Sequence, residues 1–209
     1  ATQTQSFFKK QTSTAESMMK ATQKAQPLFE WVQKLFDDTV TDTTDGKYYP
    51  MDDFDKSVAE INQAYYWKSD YEAENFLMSA HVALSSGSEK ANWFNSSCGI
   101  IFGEENERNY DYVDVSMDGN VYMYNCRGGS CILMAIKKFG PAMIPQGEVD
   151  ILLMIFREHI HFYVNGDELI SAADMRYVKG DIAYLLRSGT NKGFGTRCEM
   201  TNVGLWMYP

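Results

Sequence analysis

The chain has 209 residues, enough for one large domain that buries roughly 70% of its unfolded surface with no obligatory staple. Its composition, 44% hydrophobic with 13 Tyr, 12 Phe and 4 Trp, is that of a globular protein and excludes a disordered chain. The 28 acidic and 19 basic residues give a formal charge of −9, which argues against nucleic acid as a partner, and no apolar run approaches the ~20 residues that span a bilayer.

The chain opens at Ala1 on a polar string, "ATQTQS", read as the mature terminus of an exported chain or as the start of a truncated one. From Thr14 to Asp38 the apolar residues recur every three to four positions: Met18, Met19, Ala21, Ala25, Leu28, Phe29, Val32, Leu35 and Phe36. That period predicts helix, with Ser13 or Thr14 as cap and Pro27 either dividing it or opening a second helix. Its apolar stripe reads as a face that packs on the rest of the domain, with docking on a partner or linking to a membrane anchor as the alternatives.

The stretch 39–57 has no period and is rich in Asp, Thr and Gly, so it reads as an acidic loop. Carboxylates and threonines suit a hard cation such as calcium, but a D-x-D-x-D-G loop with a closing Glu is absent. No cofactor is therefore assigned, with calcium as the one candidate.

Residues 58–209 read as a β domain of twelve short strands: Val58–Ile61, Ala64–Lys68, Asn75–Leu84, Cys98–Gly103, Tyr110–Met117, Val121–Tyr124, Ile132–Lys137, Val149–Phe156, Ile160–Val164, Glu168–Ser171, Asp181–Leu186 and Met200–Tyr208. Asp118-Gly119 and Asn165-Gly166 are hairpin turns of the primed type, because Gly and Asn accept positive φ at low cost. Strands at this spacing, with no long helix between them, predict an all-β antiparallel sandwich behind an N-terminal helical segment, 1–38.

Four cysteines allow two disulfides in an oxidising compartment. Cys126 and Cys131 enclose only "RGGS", a loop short enough for a local bridge, which leaves Cys98 and Cys198 as a long-range pair if their strands lie side by side. Free buried thiols and a zinc site are the competing readings; zinc knuckles normally show two tight Cys pairs, and here there is one.

The order "NFLMSAHVAL", "CGIIFG", "YDYVDVSMDGNVYMY", "VDILLMIFREHIHFYVNGDELI", "GDIAYLLRS" and "MTNVGLWMY" resembles the concanavalin A-like jelly-roll superfamily, in particular its laminin-G-like and keto-disaccharide-hydrolase-like modules. The resemblance runs from about Val58 to the C-terminus. It implies a jelly-roll sandwich in a secreted or cell-surface protein, lipoproteins included, and leaves the activity open because the superfamily holds lectins, glycanases and adhesion modules.

Retaining glycanases of this superfamily carry E-x-D-x-(x)-E on one strand. Here Glu148 and Asp150 share a face, but Leu152 and Met154 follow on it, so the second essential carboxylate is missing and no catalytic residue is assigned. His159 and His161 share a strand face with Tyr163, while Ile160, Phe162 and Val164 point the other way; a third metal ligand is not adjacent, and no metal is assigned. Serine-nucleophile and phosphate-loop motifs are absent. Asn95-Ser96-Ser97 has the form of a glycosylation sequon.

Sugars present apolar CH faces and hydroxyl rims, so their sites combine aromatic platforms with a few polar groups. Tyr65, Tyr66 and Trp67 on one strand and Tyr110, Tyr112, Tyr122 and Tyr124 on a hairpin supply such rings, with Asp111, Asp114, Asn125 and Arg127 as rim contacts. The binding set expected from the sequence is Tyr65, Trp67, Tyr110, Tyr112, Tyr122, Tyr124, Arg127, His159 and His161. The function expected is a non-catalytic extracellular module with a glycan or cell-surface protein as partner. The alternatives are a hydrolase with acids from separate strands and an assembly module that uses the helices.

Overall fold

The computed structural model describes residues 25–173 and 179–209. A helix, α1, spans 25–37, and thirteen strands follow it. They are β1 (Lys47–Pro50), β2 (Phe54–Val58), β3 (Gln63–Ala73), β4 (Phe76–Ser86), β5 (Ser97–Asn106), β6 (Asn109–Ser116), β7 (Asn120–Arg127), β8 (Ser130–Lys138), β9 (Gln146–Phe156), β10 (His159–Val164), β11 (Asp167–Ala172), β12 (Gly180–Ser188) and β13 (Thr196–Met207). Every pairing is antiparallel. One sheet runs β1-β13-β4-β9-β10-β11, with β2 also on β13; the other runs β3-β12-β5-β6-β7-β8.

Alternation along the strands builds the layer between the sheets. In β4, Phe76, Met78, Ala80, Val82 and Leu84 point inward; Val149, Ile151, Leu153 and Ile155 of β9 pack beside them. Cys98, Ile100 and Phe102 of β5 and Ile182, Tyr184 and Leu186 of β12 meet them from the opposite sheet. The tight turns fall at Gly119 (φ 87°), at Arg157 and Glu158 (φ 48° and 65°) and at Asn165 and Gly166 (φ 52° and 89°), the left-handed geometry that two-residue hairpins require.

Three expectations change. The stretch 39–57 is not all loop: β1 and β2 lie end to end along β13, and Met51 and Phe54 enter the core while Asp52 and Asp53 stay exposed. Two four- to five-residue edge strands are too short to show a period. The predicted strand Val58–Ile61 is the end of β2 followed by a turn at Asn62, whose φ is 59°. Cys98 and Cys198 are bonded, as are Cys126 and Cys131, which removes the zinc and free-thiol readings. Cys98 and Cys198 do not sit on neighbouring strands, however: β5 and β13 belong to different sheets, so the bond crosses the core.

Leu28, Val32 and Leu35, at i, i+4 and i+7 of α1, are buried against the outer surface of the seven-stranded sheet, on Leu77, Leu152, Met154 and Tyr163. Trp31 meets the Tyr163 ring at 5.1 Å. The helix ends where Thr39 turns left-handed (φ 59°) and the amides of Val40 and Thr41 bond the Leu35 carbonyl. Pro27 lies within α1; the helical expectation for Thr14–Lys24, with Met18, Met19 and Ala21, falls outside the described residues.

Candidate functional site

The outer surfaces of the two sheets differ. On the seven-stranded sheet, α1 covers the half built from Leu77, Leu152, Met154 and Tyr163. The other half is polar: Asp150 Oδ1 lies 2.8 Å from His81 Nδ1 and Glu148 Oε2 lies 3.5 Å from His81 Nε2. The Asp150 carboxylate, hydrogen-bonded to the ring, with the Glu148 charge beside it, holds the His81 pKa above its ordinary value. Glu148 and Asp150 do share a face, as the sequence predicts, but both are about three-quarters exposed, a poor setting for a catalytic acid that needs desolvation.

His159 and His161 lie on this same outer surface beside the end of α1. His159 Nδ1 donates to the Arg157 carbonyl (2.9 Å), and His161 Nδ1 pairs with Glu168 (2.5 Å). With Phe36, Thr39, Asp42 and Phe156 they line a cavity of about 940 Å³, across which Arg157 pairs with Asp42 (2.5 Å). Among the described residues no group of three or more His, Cys, Asp or Glu side chains is placed to hold a metal ion.

The six-stranded sheet carries the tyrosines on its outer surface. Register sets Tyr112 opposite Tyr124 and Tyr110 opposite Cys126, and it brings Tyr66 of β3 opposite Leu185 of β12. Alternation then puts Tyr66, Tyr110, Tyr112 and Tyr124 on one side. Tyr112 and Tyr124 stack at 4.7 Å and 16°; Tyr110 is 6.2 Å from Tyr112 and 6.3 Å from Tyr66. These rings lie across Ile101, Ala183 and Leu185 and bury them. Burial raises the pKa of all four phenols, so each keeps its proton as a hydrogen-bond donor.

Polar groups close the row at both ends. At one, Arg187 lies over the rings of Phe94 (5.0 Å) and Tyr124 (5.7 Å), reaches Asp114 Oδ2 at 3.3 Å and bonds Asn95. Ser97 donates to the same Asp114 oxygen at 2.7 Å, while Oδ1, buried, has no donor among the described residues. Gly99 sits opposite Asp114, where a Cβ would come within 2.6 Å of the Asp114 Cβ. At the other end Lys68 Nζ is 3.1 Å from Glu104 and 2.9 Å from Asp181. Glu104 is fully buried, and neither of its oxygens has a hydrogen bond among the described residues; the Lys68 contact is an ion pair outside hydrogen-bond geometry.

The residues singled out from sequence therefore divide. Tyr110, Tyr112 and Tyr124 share one surface. Tyr122 is on the same side but tucked in, donating to Asp118 (2.5 Å) with its ring edge-on to Phe94. Tyr65 and Trp67 lie on the opposite side of β3: Trp67 packs on Phe54 at 5.3 Å, and Tyr65 donates to Glu60. Their parity to Tyr66 could have shown this, since neighbours in a strand point opposite ways. Asp111, Asn125 and Arg127 form a network on the core side, with Arg127 3.2 Å from the buried Asp111 carboxylate and bonded to the carbonyls of Tyr110 and Cys126. Sequence reasoning missed Phe94 and Arg187, which become neighbours of the tyrosines only once β12 pairs with β5. The sequon residue Asn95 is engaged by Arg187 and Asn62.

No known family profile matches the chain, and no curated protein matches it in sequence. Solved structures do. The carbohydrate-binding module CBM66 from Bacillus subtilis superposes with a TM-score of 0.57 at 12% identity, over 75% of this chain and 92% of that one. A fructosyltransferase from A. japonicus gives 0.54 at 9% identity, over 78% of this chain but only 26% of the enzyme. The beta-glucanase of Bacillus licheniformis gives 0.50 at 11%, over 78% and 98%. The fold is the concanavalin A-like jelly roll expected from the sequence.

Proposed function

We propose that this chain is a non-catalytic glycan-binding module of an exported or cell-surface protein, and that the outer face of the six-stranded sheet holds the glycan. The observation that carries the reading is the row Tyr66, Tyr110, Tyr112 and Tyr124 with Arg187 and Phe94 at its end. The rings offer apolar surface to the CH faces of sugars, and the protonated phenols with the Arg187 guanidinium offer donors to their oxygens. The glycan-related structural neighbours are consistent with this, and two disulfides suit an oxidising compartment.

Affinity electrophoresis against soluble polysaccharides, together with a glycan array, tests it. Retention should appear for at least one polysaccharide and be lost in Tyr124→Ala. Absence of retention on a broad panel would remove the reading. Release of reducing sugar from a retained polysaccharide would move the chain to the hydrolase alternative.

A further inference from the structure

The two histidines of β10 lie on the opposite sheet from the tyrosine row. The β9–β10 ladder runs from the pair His159 and Phe156 to the pair Val164 and Ile151 without a register shift, and Ile160, between the histidines, is fully buried. His159 and His161 therefore point the same way, out of the sheet, with Cα atoms about 7 Å apart. Both line the cavity at the end of α1, so the two side chains share one space.

The partners of each ring fix where its lone pair lies. His159 Nδ1 is 2.9 Å from the Arg157 carbonyl, and His161 Nδ1 is 2.5 Å from a Glu168 carboxylate oxygen. Both partners only accept, so in each neutral ring Nδ1 carries the proton and Nε2 carries the free lone pair. An imidazole that donates through one nitrogen to a carbonyl or carboxylate is oriented by that bond and made more basic at the other nitrogen, the arrangement found behind metal-ligating histidines. His81, the third histidine of the chain, differs: Asp150 and Glu148 face its two nitrogens. The charge around the β10 pair also suits a cation. Asp37 and Asp42 line the cavity and Glu168 holds His161, against the one guanidinium of Arg157, which Asp42 already pairs.

We propose that His159 and His161 bind a divalent transition-metal ion of imidazole preference, Cu²⁺, Ni²⁺ or Zn²⁺, through their Nε2 atoms, with water completing its coordination. Zinc–imidazole bonds of about 2.0–2.1 Å need the two nitrogens within about 4 Å of each other, a separation that side chains of this length reach from adjacent positions on one strand face. Two protein ligands leave positions on the ion open toward the cavity, where Phe36 and Phe156 form apolar walls. Ca²⁺ and Mg²⁺ do not suit the pair, because they take oxygen ligands.

The proposal does not depend on glycan binding, and its test uses metal salts alone on the full chain without an affinity tag. Titration calorimetry with Cu²⁺ should show saturable one-to-one binding that Ca²⁺ and Mg²⁺ do not reproduce. Electron paramagnetic resonance of the Cu²⁺ complex should show two imidazole nitrogens. His159→Ala and His161→Ala should each weaken binding by about tenfold or more and leave one nitrogen in the spectrum, whereas His81→Ala should change neither. Because His159 is exposed, the metal-free thermal midpoint of His159→Ala should match that of the parent, which separates a lost ligand from a lost fold. Added Ni²⁺ should raise the midpoint of the parent and leave that of His159→Ala in place. No saturable binding, binding unchanged by His159→Ala, binding lost in His81→Ala, or a parent spectrum with a single imidazole nitrogen would each overturn the assignment.

Discussion

Arg187 places its guanidinium 3.3 Å from the Asp114 carboxylate and over the Tyr124 ring, so the cation that closes the tyrosine row is also the charge partner of a fully buried acid. Removing it strips the site of a donor and strands Asp114. Arg187→Ala should cost about 3–5 kcal/mol of stability, as for other buried pairs broken on one side. Arg187→Lys keeps the charge but loses the planar surface against Tyr124 and Phe94, so it should retain more stability than Arg187→Ala while still losing polysaccharide retention. Urea melts and affinity electrophoresis on the same variants separate the two effects.

Stability should fall from mildly acidic to neutral pH. Burial pushes the carboxyls of Asp111 and Asp114 up to about 6, against 3.8 for an unperturbed Asp, so between those values the folded chain holds protons that the unfolded chain has released. Stability from this source is present below the unfolded value and is lost as pH rises through the folded one. His81 acts in the same sense: its bond to Asp150 raises its pKa, and the stability it adds is complete below 6.5 and lost as pH climbs past the raised value. The thermal midpoint should peak near about pH 5 and decline toward pH 8, with a shallower decline in Asp114→Asn. A midpoint that rises over that interval would contradict the assignment.

Trp67→Ala and Tyr124→Ala should separate folding from binding. Trp67 packs on Phe54 and the core, so its loss should cost about 3–5 kcal/mol while leaving the glycan retention of the folded protein unchanged. Tyr124 covers the outer surface, and its loss should reduce binding by about 1–3 kcal/mol with a smaller effect on the denaturation midpoint. Retention that vanished in Trp67→Ala and persisted in Tyr124→Ala would place the site on the wrong side of β3.

The helix is a structural lid. Leu35→Ala, at a side chain only 1% exposed, should destabilise by about 2–4 kcal/mol. Val32→Asp buries a carboxylate against Leu152 and Met154 and should release α1 from the sheet, detected as dye binding to the uncovered apolar patch.

Most of the architecture was legible because apolar runs such as Val149–Phe156 and the pairs Asp118-Gly119 and Asn165-Gly166 are local signals. β1 and β2 were not, since they are stabilised by pairing with β13, some 140 or more residues further along the chain. The same limit governs the site. Tyr110, Tyr112 and Tyr124 could be grouped by parity within one hairpin, whereas the Arg187 contact with Tyr124 depends on how β12 is threaded between β3 and β5. Composition groups Tyr65 and Trp67 with Tyr66, whereas strand parity separates them from it.

The Cys98–Cys198 bond encloses the stretch of chain between residues 98 and 198, from β5 through most of the tyrosine row to the start of β13. A protease that makes one cut anywhere inside that span opens a nick but frees no fragment, because both new ends remain on a covalently continuous molecule. Cleavage at an exposed hairpin then becomes a lesion visible only under reducing conditions, as two bands where the unreduced sample runs as one.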